Sequence, residues 1–235
     1  MLKVEGIDVS YGSLKVLNNV SMSVENNETV GIFGPNGHGK TTLLKAISGL
    51  LKPLKGTIEF KDQVISGVPP EKIVNMGLIH VPQGSQLFLD MTVEENLLMG
   101  AYRSTAWSKR KENLKSVYQL FPPLKERRNK KSSTLSGGER QMTAIGRGLM
   151  SSAELLMLDE LTMGLAPKLG WEIINKISEI KETGIAIILV EQNIAYAAEL
   201  SKRMYLLENG EITLSGSKEE VLSNKYVQEA YLGIA

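Results

Sequence analysis

Hydrophobic positions along this chain follow two rhythms. Residues 2–7 (Leu-Lys-Val-Glu-Gly-Ile) nearly alternate, and Val20 to Val24 sets Met22 between two serines, the period-two pattern of a half-buried strand. Thr29 to Phe33, Thr57 to Phe60, Leu78 to Val81, Leu155 to Leu158 and Ile185 to Val190 are short continuous runs, which suit buried parallel strands. Arg203 to Glu208 and Glu211 to Leu214 flank Asn209-Gly210, a dipeptide that accepts the left-handed backbone of a hairpin turn. From Thr92 to about Met150 the rhythm becomes helical and the composition more polar. Thr92 followed by Glu95 forms a capping box ahead of Leu97, Leu98 and Met99. Over Ser108 to Leu120, Leu114, Val117 and Tyr118 share one face and Lys and Arg the other, and Pro122-Pro123 ends that helix. The basic run Lys125 to Lys131 reads as a solvated helix end and loop. The pattern predicts an α/β core interrupted by a helical insertion over roughly residues 90–150.

Composition narrows the class. The chain has 235 residues, enough for one large α/β domain, and its 42% hydrophobic and 23% charged content is that of a folded globular protein. With 27 Lys and Arg against 26 Asp and Glu, the net charge of +1 gives no electrostatic argument for nucleic acid as the main partner, and no nucleic-acid partner is expected. No cysteine is present, so there is no disulfide framework, thiolate zinc site or cysteine nucleophile. The longest apolar stretch, Gly184 to Val190, falls well short of the ~20 residues a spanning helix needs. Met1 to Glu5 carries no signal pattern, and the expectation is a soluble protein of a reducing compartment.

Candidate chemistry concentrates at two strand ends. Gly34-Pro35-Asn36-Gly37-His38-Gly39-Lys40-Thr41 fits the phosphate-loop pattern G-x-x-x-x-G-K-[ST], between an apolar strand and a helical run carrying Leu43, Leu44 and Ile47. Glycines let such a loop wrap so that successive backbone N–H groups converge on a phosphate, and the helix that follows adds its positive end. Lys40 is expected to reach the β- and γ-phosphates, Thr41 to offer a hydroxyl to Mg²⁺, and Thr42 to bond near the α-phosphate. His38 sits at a variable position where backbone does the binding, and His80, inside a predicted strand, reads as a packed core residue. The second strand end is Leu155 to Leu158 followed by Asp159-Glu160. Asp159 is expected to hold Mg²⁺ through water, and Glu160 to orient or deprotonate the attacking water.

Leu135-Ser136-Gly137-Gly138-Glu139-Arg140-Gln141 decides the class: it resembles the LSGGQ-type signature of ATP-binding-cassette (ABC) ATPases, in the right order between phosphate loop and acidic strand. The resemblance implies a P-loop NTPase core with an antiparallel β subdomain, formed by about residues 1–90 and 151–235, and a helical signature subdomain over about 91–150. It implies two ATP molecules sandwiched in a head-to-tail dimer, with Ser136, Gly137 and Gly138 of one subunit on the γ-phosphate held by the other. Tyr11 looks like the residue that stacks on adenine, with Val16 beside it. Gln83 matches the Gln that ligates Mg²⁺ and opens the loop contacting a membrane subunit, and the helical insertion is where this family receives its coupling helices.

Finer likeness points to the smaller ATPase subunit of branched-chain amino acid importers, with urea and short-chain amide importers close by. It is carried by Leu135 to Met150, Gly164-Leu165-Ala166-Pro167, Leu189-Val190-Glu191-Gln192-Asn193 and Glu229-Ala230-Tyr231-Leu232-Gly233. Those importers use two different ATPase subunits, two membrane permease subunits and an external binding protein, with the ATPases peripheral on the cytoplasmic face of the membrane. The chain departs from family habit in four places. Gln192 stands where most relatives have the His that touches the γ-phosphate. Leu161 replaces the usual Pro, Gly164-Leu165-Ala166 lacks the common Asp, and Gln83 stands where this branch often has Glu. Gln192 can donate a hydrogen bond but carries no charge, so a weaker transition-state contact is expected there.

Overall fold

A computed structural model describes residues 1–233. Its strands are β1 (Leu2–Tyr11), β2 (Leu14–Val24), β3 (Thr29–Phe33), β4 (Lys55–Phe60), β5 (Gln63–Val64), β6 (Leu78–Val81), β7 (Leu155–Asp159), β8 (Ala186–Val190), β9 (Arg203–Glu208) and β10 (Glu211–Ser217). They form an antiparallel sheet of order β2-β1-β4-β5 and a larger sheet of order β10-β9-β3-β8-β7-β6. In the larger sheet β3, β6, β7, β8 and β9 pair in parallel, and β10 returns antiparallel through the Asn209-Gly210 turn, where both residues have positive φ.

The continuous apolar runs follow from burial on both faces. In β7, Leu155 and Met157 pack into the core shared with the antiparallel sheet, while Leu156 and Leu158 pack into the core shared with the helices. β8 divides likewise, with Ala186, Ile188 and Val190 on one side and Ile187 and Leu189 on the other. Thr57 to Phe60 corrects the expectation of a parallel strand: it belongs to β4, which pairs antiparallel with β1. The reason lies in its polar positions, since Ile58 and Phe60 are buried while Thr57 and Glu59 are half-exposed on the other face.

Helices α1 (Lys40–Ile47) and α2 (Pro70–Asn75) follow β3 and β5. Between β6 and β7 come α3 (Val93–Met99), α4 (Ser104–Ser108), α5 (Arg110–Leu120), α6 (Pro122–Glu126) and α7 (Gly137–Leu149). α8 (Pro167–Lys181), α9 (Ile194–Leu200), α10 (Lys218–Ser223) and α11 (Lys225–Val227) follow β7, β8, β10 and α10 in turn. Thr92 and Glu95 form both halves of a capping box on α3, as do Ser136 and Glu139 on α7. Pro122-Pro123 ends α5 as expected but also opens α6, because a proline in the first turn has no N–H to leave unpaired.

Asn96 on α3 is fully buried and ties the helical segment together. Its amide donates to the carbonyls of Phe88 and Thr92 and to the Ser132 hydroxyl at 2.9, 3.1 and 2.9 Å, and its oxygen accepts from the Phe88 N–H at 2.9 Å. Asn96→Leu would keep the branched outline of the side chain and strand these groups without partners. The expected loss is about 3 kcal/mol of unfolding free energy, read by urea denaturation.

Candidate nucleotide-binding site

Three parallel strands bring the candidate residues to one edge. β3, β8 and β7 stand side by side, with Ile32 opposite Val190 and Val190 opposite Asp159. The pairing continues past the strand ends: Glu160 N–H donates to the Val190 carbonyl at 2.9 Å and Glu191 N–H to the Ile32 carbonyl at 3.1 Å. The phosphate loop after β3, Glu160 after β7, and Glu191-Gln192 after β8 therefore share the carboxyl edge, where open α/β sheets bind ligands.

Loop 34–39 owes its path to glycine at two tight places. Gly34 has φ +146° and a Cβ there would lie 2.1 Å from the Leu207 carbonyl oxygen; Gly39 has φ +105° and a Cβ would lie 2.7 Å from the Leu17 side chain. Lys40 opens α1 and is buried, folded back over its own loop. Its ammonium donates to the carbonyls of Gly34 and Pro35 at 2.9 and 3.0 Å and pairs with Glu160 Oε1 at 3.0 Å. Thr41 Oγ1 donates to Asp159 Oδ1 at 3.2 Å. Glu160 has a left-handed backbone, φ +46°, and its Oε2 accepts from the Gln83 amide at 3.0 Å. The Asn36 amide donates to Gln192 Oε1 at 3.3 Å, joining the phosphate loop to the loop after β8. Asn36, Gly37, Lys40, Thr41, Gln83 and Glu160 border a cleft of about 250 Å³. A larger cavity of about 760 Å³ adjoins it, sharing Thr41 and Gln83 and reaching Phe88, Met99 and Tyr102.

Other predicted residues lie apart from the cleft. His38 turns its Nδ1 to the hairpin, accepting from Asn209 N–H at 3.0 Å. Tyr11 is exposed at the end of β1, and Val16 lies beside the phosphate loop, its carbonyl 3.4 Å from a Cβ placed on Gly39. Ser136, Gly137 and Gly138 stand at the head of α7 beside Leu165 and Leu169, away from the cleft of their own chain.

Sequence reasoning missed Glu191 and Thr162. Glu191 is buried; its carboxylate accepts from Thr162 N–H at 3.2 Å and Thr162 Oγ1 at 2.7 Å, tying the loop after Glu160 to the loop bearing Gln192. A charged residue directly after a five-residue apolar strand was the available signal. Burial pushes the Glu191 carboxyl up to about 7 from an ordinary 4.5, helped by the charge of Glu160 and opposed by the Thr162 hydrogen bonds. The folded chain thus holds a proton that the unfolded chain has released, so stability falls as pH rises from about 4.5 to about 7. Glu191→Gln is expected to remove that fall, roughly 3 kcal/mol across the whole window, checked by urea denaturation at pH values across it.

The profile of the family described as ABC transporter matches residues 17–163. The chain is 40% identical to the high-affinity branched-chain amino acid transport ATP-binding protein BraG of Pseudomonas aeruginosa, across 99% of this chain and 100% of that one. It is 32% identical to LivG of Escherichia coli, another high-affinity branched-chain amino acid transport ATP-binding protein, over 251 aligned positions that take in 100% of this chain and 98% of LivG. Among solved structures, the ADP conformation of MJ1267, an ATP-binding cassette of an ABC transporter, superposes with a TM-score of 0.84 at 31% identity, covering 99% and 98% of the two chains. A nucleotide-free cassette from an ABC transporter gives 0.85 at 30%, covering 98% of each. Cleft, signature helix and relatives lead to one conclusion: the chain belongs to the ABC transporter family and is one of its ATP-binding, ATP-hydrolysing cassettes.

Proposed function

We propose that this chain is the smaller ATPase subunit of an importer of branched-chain amino acids, peripheral on the cytoplasmic face of the cell membrane. The carrying observation is the end-to-end likeness to BraG. The alignment with LivG, by contrast, is longer than this chain and needs insertions that this chain lacks. In this reading a second, different cassette completes the dimer, two permease subunits form the path, and a periplasmic or extracellular binding protein delivers the substrate. Among the described residues no helix is long and apolar enough to cross a membrane. Phe88, Leu89, Met99 and Tyr102 are exposed near the larger cavity, which suits this face for the permease.

Backbone N–H groups of residues 36–39, with the positive end of α1, cradle the β-phosphate of ATP, and Thr42 bonds near the α-phosphate. Tyr11 stacks on adenine beside Val16. Lys40 leaves Glu160 for the β- and γ-phosphates, and the freed Glu160 carboxylate accepts a proton from the attacking water. The water oxygen bonds to the γ-phosphorus as the bond to the bridging oxygen breaks, giving ADP and phosphate. Gln192 donates to the γ-phosphate, and Ser136, Gly137 and Gly138 approach the ATP held by the partner cassette.

The donors present fit Mg²⁺. Thr41 hydroxyl, Asp159 carboxylate and Gln83 side chain are hard oxygen groups, and Asp159 Oδ2 is buried without a hydrogen-bond partner. Among the described residues no cluster of three or more His, Asp or Glu forms a metal site, so phosphate oxygens and water would complete the shell. Bound there, the cation would neutralise charge developing on the β- and γ-phosphates.

The test is ATP hydrolysis by the complex purified from membranes through this chain, reconstituted with its binding protein and given leucine, urea or nothing. Stimulation by leucine-type amino acids is expected. Stimulation by urea alone would overturn the substrate, and failure to recover a membrane partner would overturn the importer.

A further inference from the structure

His80 lies on β6 opposite Met157 of β7, in a strand whose other members, Leu78, Ile79 and Val81, are buried and apolar. An imidazole in such a setting loses hydration and needs a partner in return. Its Nε2 is buried with none, and it faces Asp159 Oδ2 across 3.9 Å, an oxygen that is likewise buried and unpartnered. Both side chains are more than nine-tenths buried. The two orphaned atoms are a complementary donor and acceptor, about 1 Å beyond hydrogen-bond distance. The other carboxylate oxygen, Oδ1, is already held by Thr41.

We propose that His80 is a positioning residue for the cation-holding carboxylate: once the side chains close the remaining gap of about 1 Å, its Nε2–H donates to Asp159 Oδ2 and fixes the carboxylate plane, keeping Oδ1 toward Thr41. This rests on the assignment of Asp159 to the cation. A carboxylate held at one oxygen swivels about its last bond, whereas one held at both presents a fixed face. Carboxylates that hold metals are commonly fixed by such outer hydrogen bonds, whose loss weakens metal binding by roughly 10–100-fold. His80 itself stays off the metal. His80 and Asp159 both line the 760 Å³ cavity.

The test measures how much a divalent cation strengthens ADP binding to the full-length chain, as the ratio of the ADP Kd in EDTA to that in Mn²⁺. His80→Ile is expected to lower this ratio about tenfold and leave the Kd in EDTA unchanged, while His80→Gln, which keeps a donor, retains most of it. Should His80→Ile fail to fold, His80→Phe takes its place. Asp159→Asn separates the two levels of the argument. If it collapses the ratio and His80→Ile does not, the positioning role is wrong and the cation assignment stands. If Asp159→Asn leaves the ratio intact, the cation assignment falls and the positioning role with it. Parallel loss of binding in EDTA would reduce His80 to packing. A ¹⁴N coupling of bound Mn²⁺ to a ligating imidazole would make His80 a metal ligand and overturn the proposal.

Discussion

Glu160→Gln is expected to leave ATP binding nearly unchanged and slow hydrolysis by about 10²–10⁴-fold. The amide keeps the shape of the carboxylate and can still place its oxygen toward Lys40, so the left-handed turn at Glu160 survives, and the contact with Gln83 is restored when the Gln83 amide turns its oxygen to the new NH2. Only the ability to take a proton from water is lost. ATP should therefore stay bound, and a closed dimer with the partner cassette should accumulate, visible by size-exclusion chromatography. Single-turnover hydrolysis measures the rate. A variant that hydrolyses ATP at close to the parental rate would remove Glu160 from the proposed role.

Lys40→Ala carries the other large effect, and it divides into two measurable parts. ATP affinity should fall by about a hundredfold or more, since the buried ammonium is, among the described residues, the only cation bordering the cleft where the β- and γ-phosphates would sit; calorimetry reads this directly. The chain without nucleotide should also lose stability, by about 3 kcal/mol. Lys40 is the cation paired with Glu160 and, once removed, leaves a buried carboxylate whose neighbours include Asp159 and Glu191. Adding Glu160→Gln to Lys40→Ala removes the unpaired charge and should recover most of that loss in urea denaturation. A double variant no more stable than Lys40→Ala alone would refute the electrostatic account.

Much of this layout is legible in the sequence because several signals agree at each place. The phosphate loop is a motif, a strand end and a helix start at once, and the sheet strands around it are apolar on both faces and stand out. β4 misled because Thr57 and Glu59 interrupt the run only lightly, and its partner β1 is distant in sequence. The sequence reading assigned no element to Pro167–Lys181, although Ile173, Ile174, Ile177 and Ile180 of α8 are buried at helical spacing. Contacts were the least legible. Nothing local says that Lys40 folds back on Glu160, that Thr162 meets Glu191, or that His80 faces Asp159, because each pair joins segments that only the sheet brings together.

The order of strands in the larger sheet has a bearing on how the site responds to its surroundings. Asp159 ends, and Glu160 and Gln192 follow, strands with a neighbour on each side, whereas Gln83 follows β6, which borders β7 alone. The interior strand ends are clamped laterally and share two cores; the rim strand is anchored on one flank. Amide hydrogen exchange should accordingly be slowest in β3, β7 and β8 and faster in β6. A push arriving at the rim would shift the Gln83 amide relative to Glu160 while the acidic pair stays in register. The sheet thus confines mechanical compliance to a single contributor of the cleft, and an external partner could alter the geometry there without disturbing the remainder.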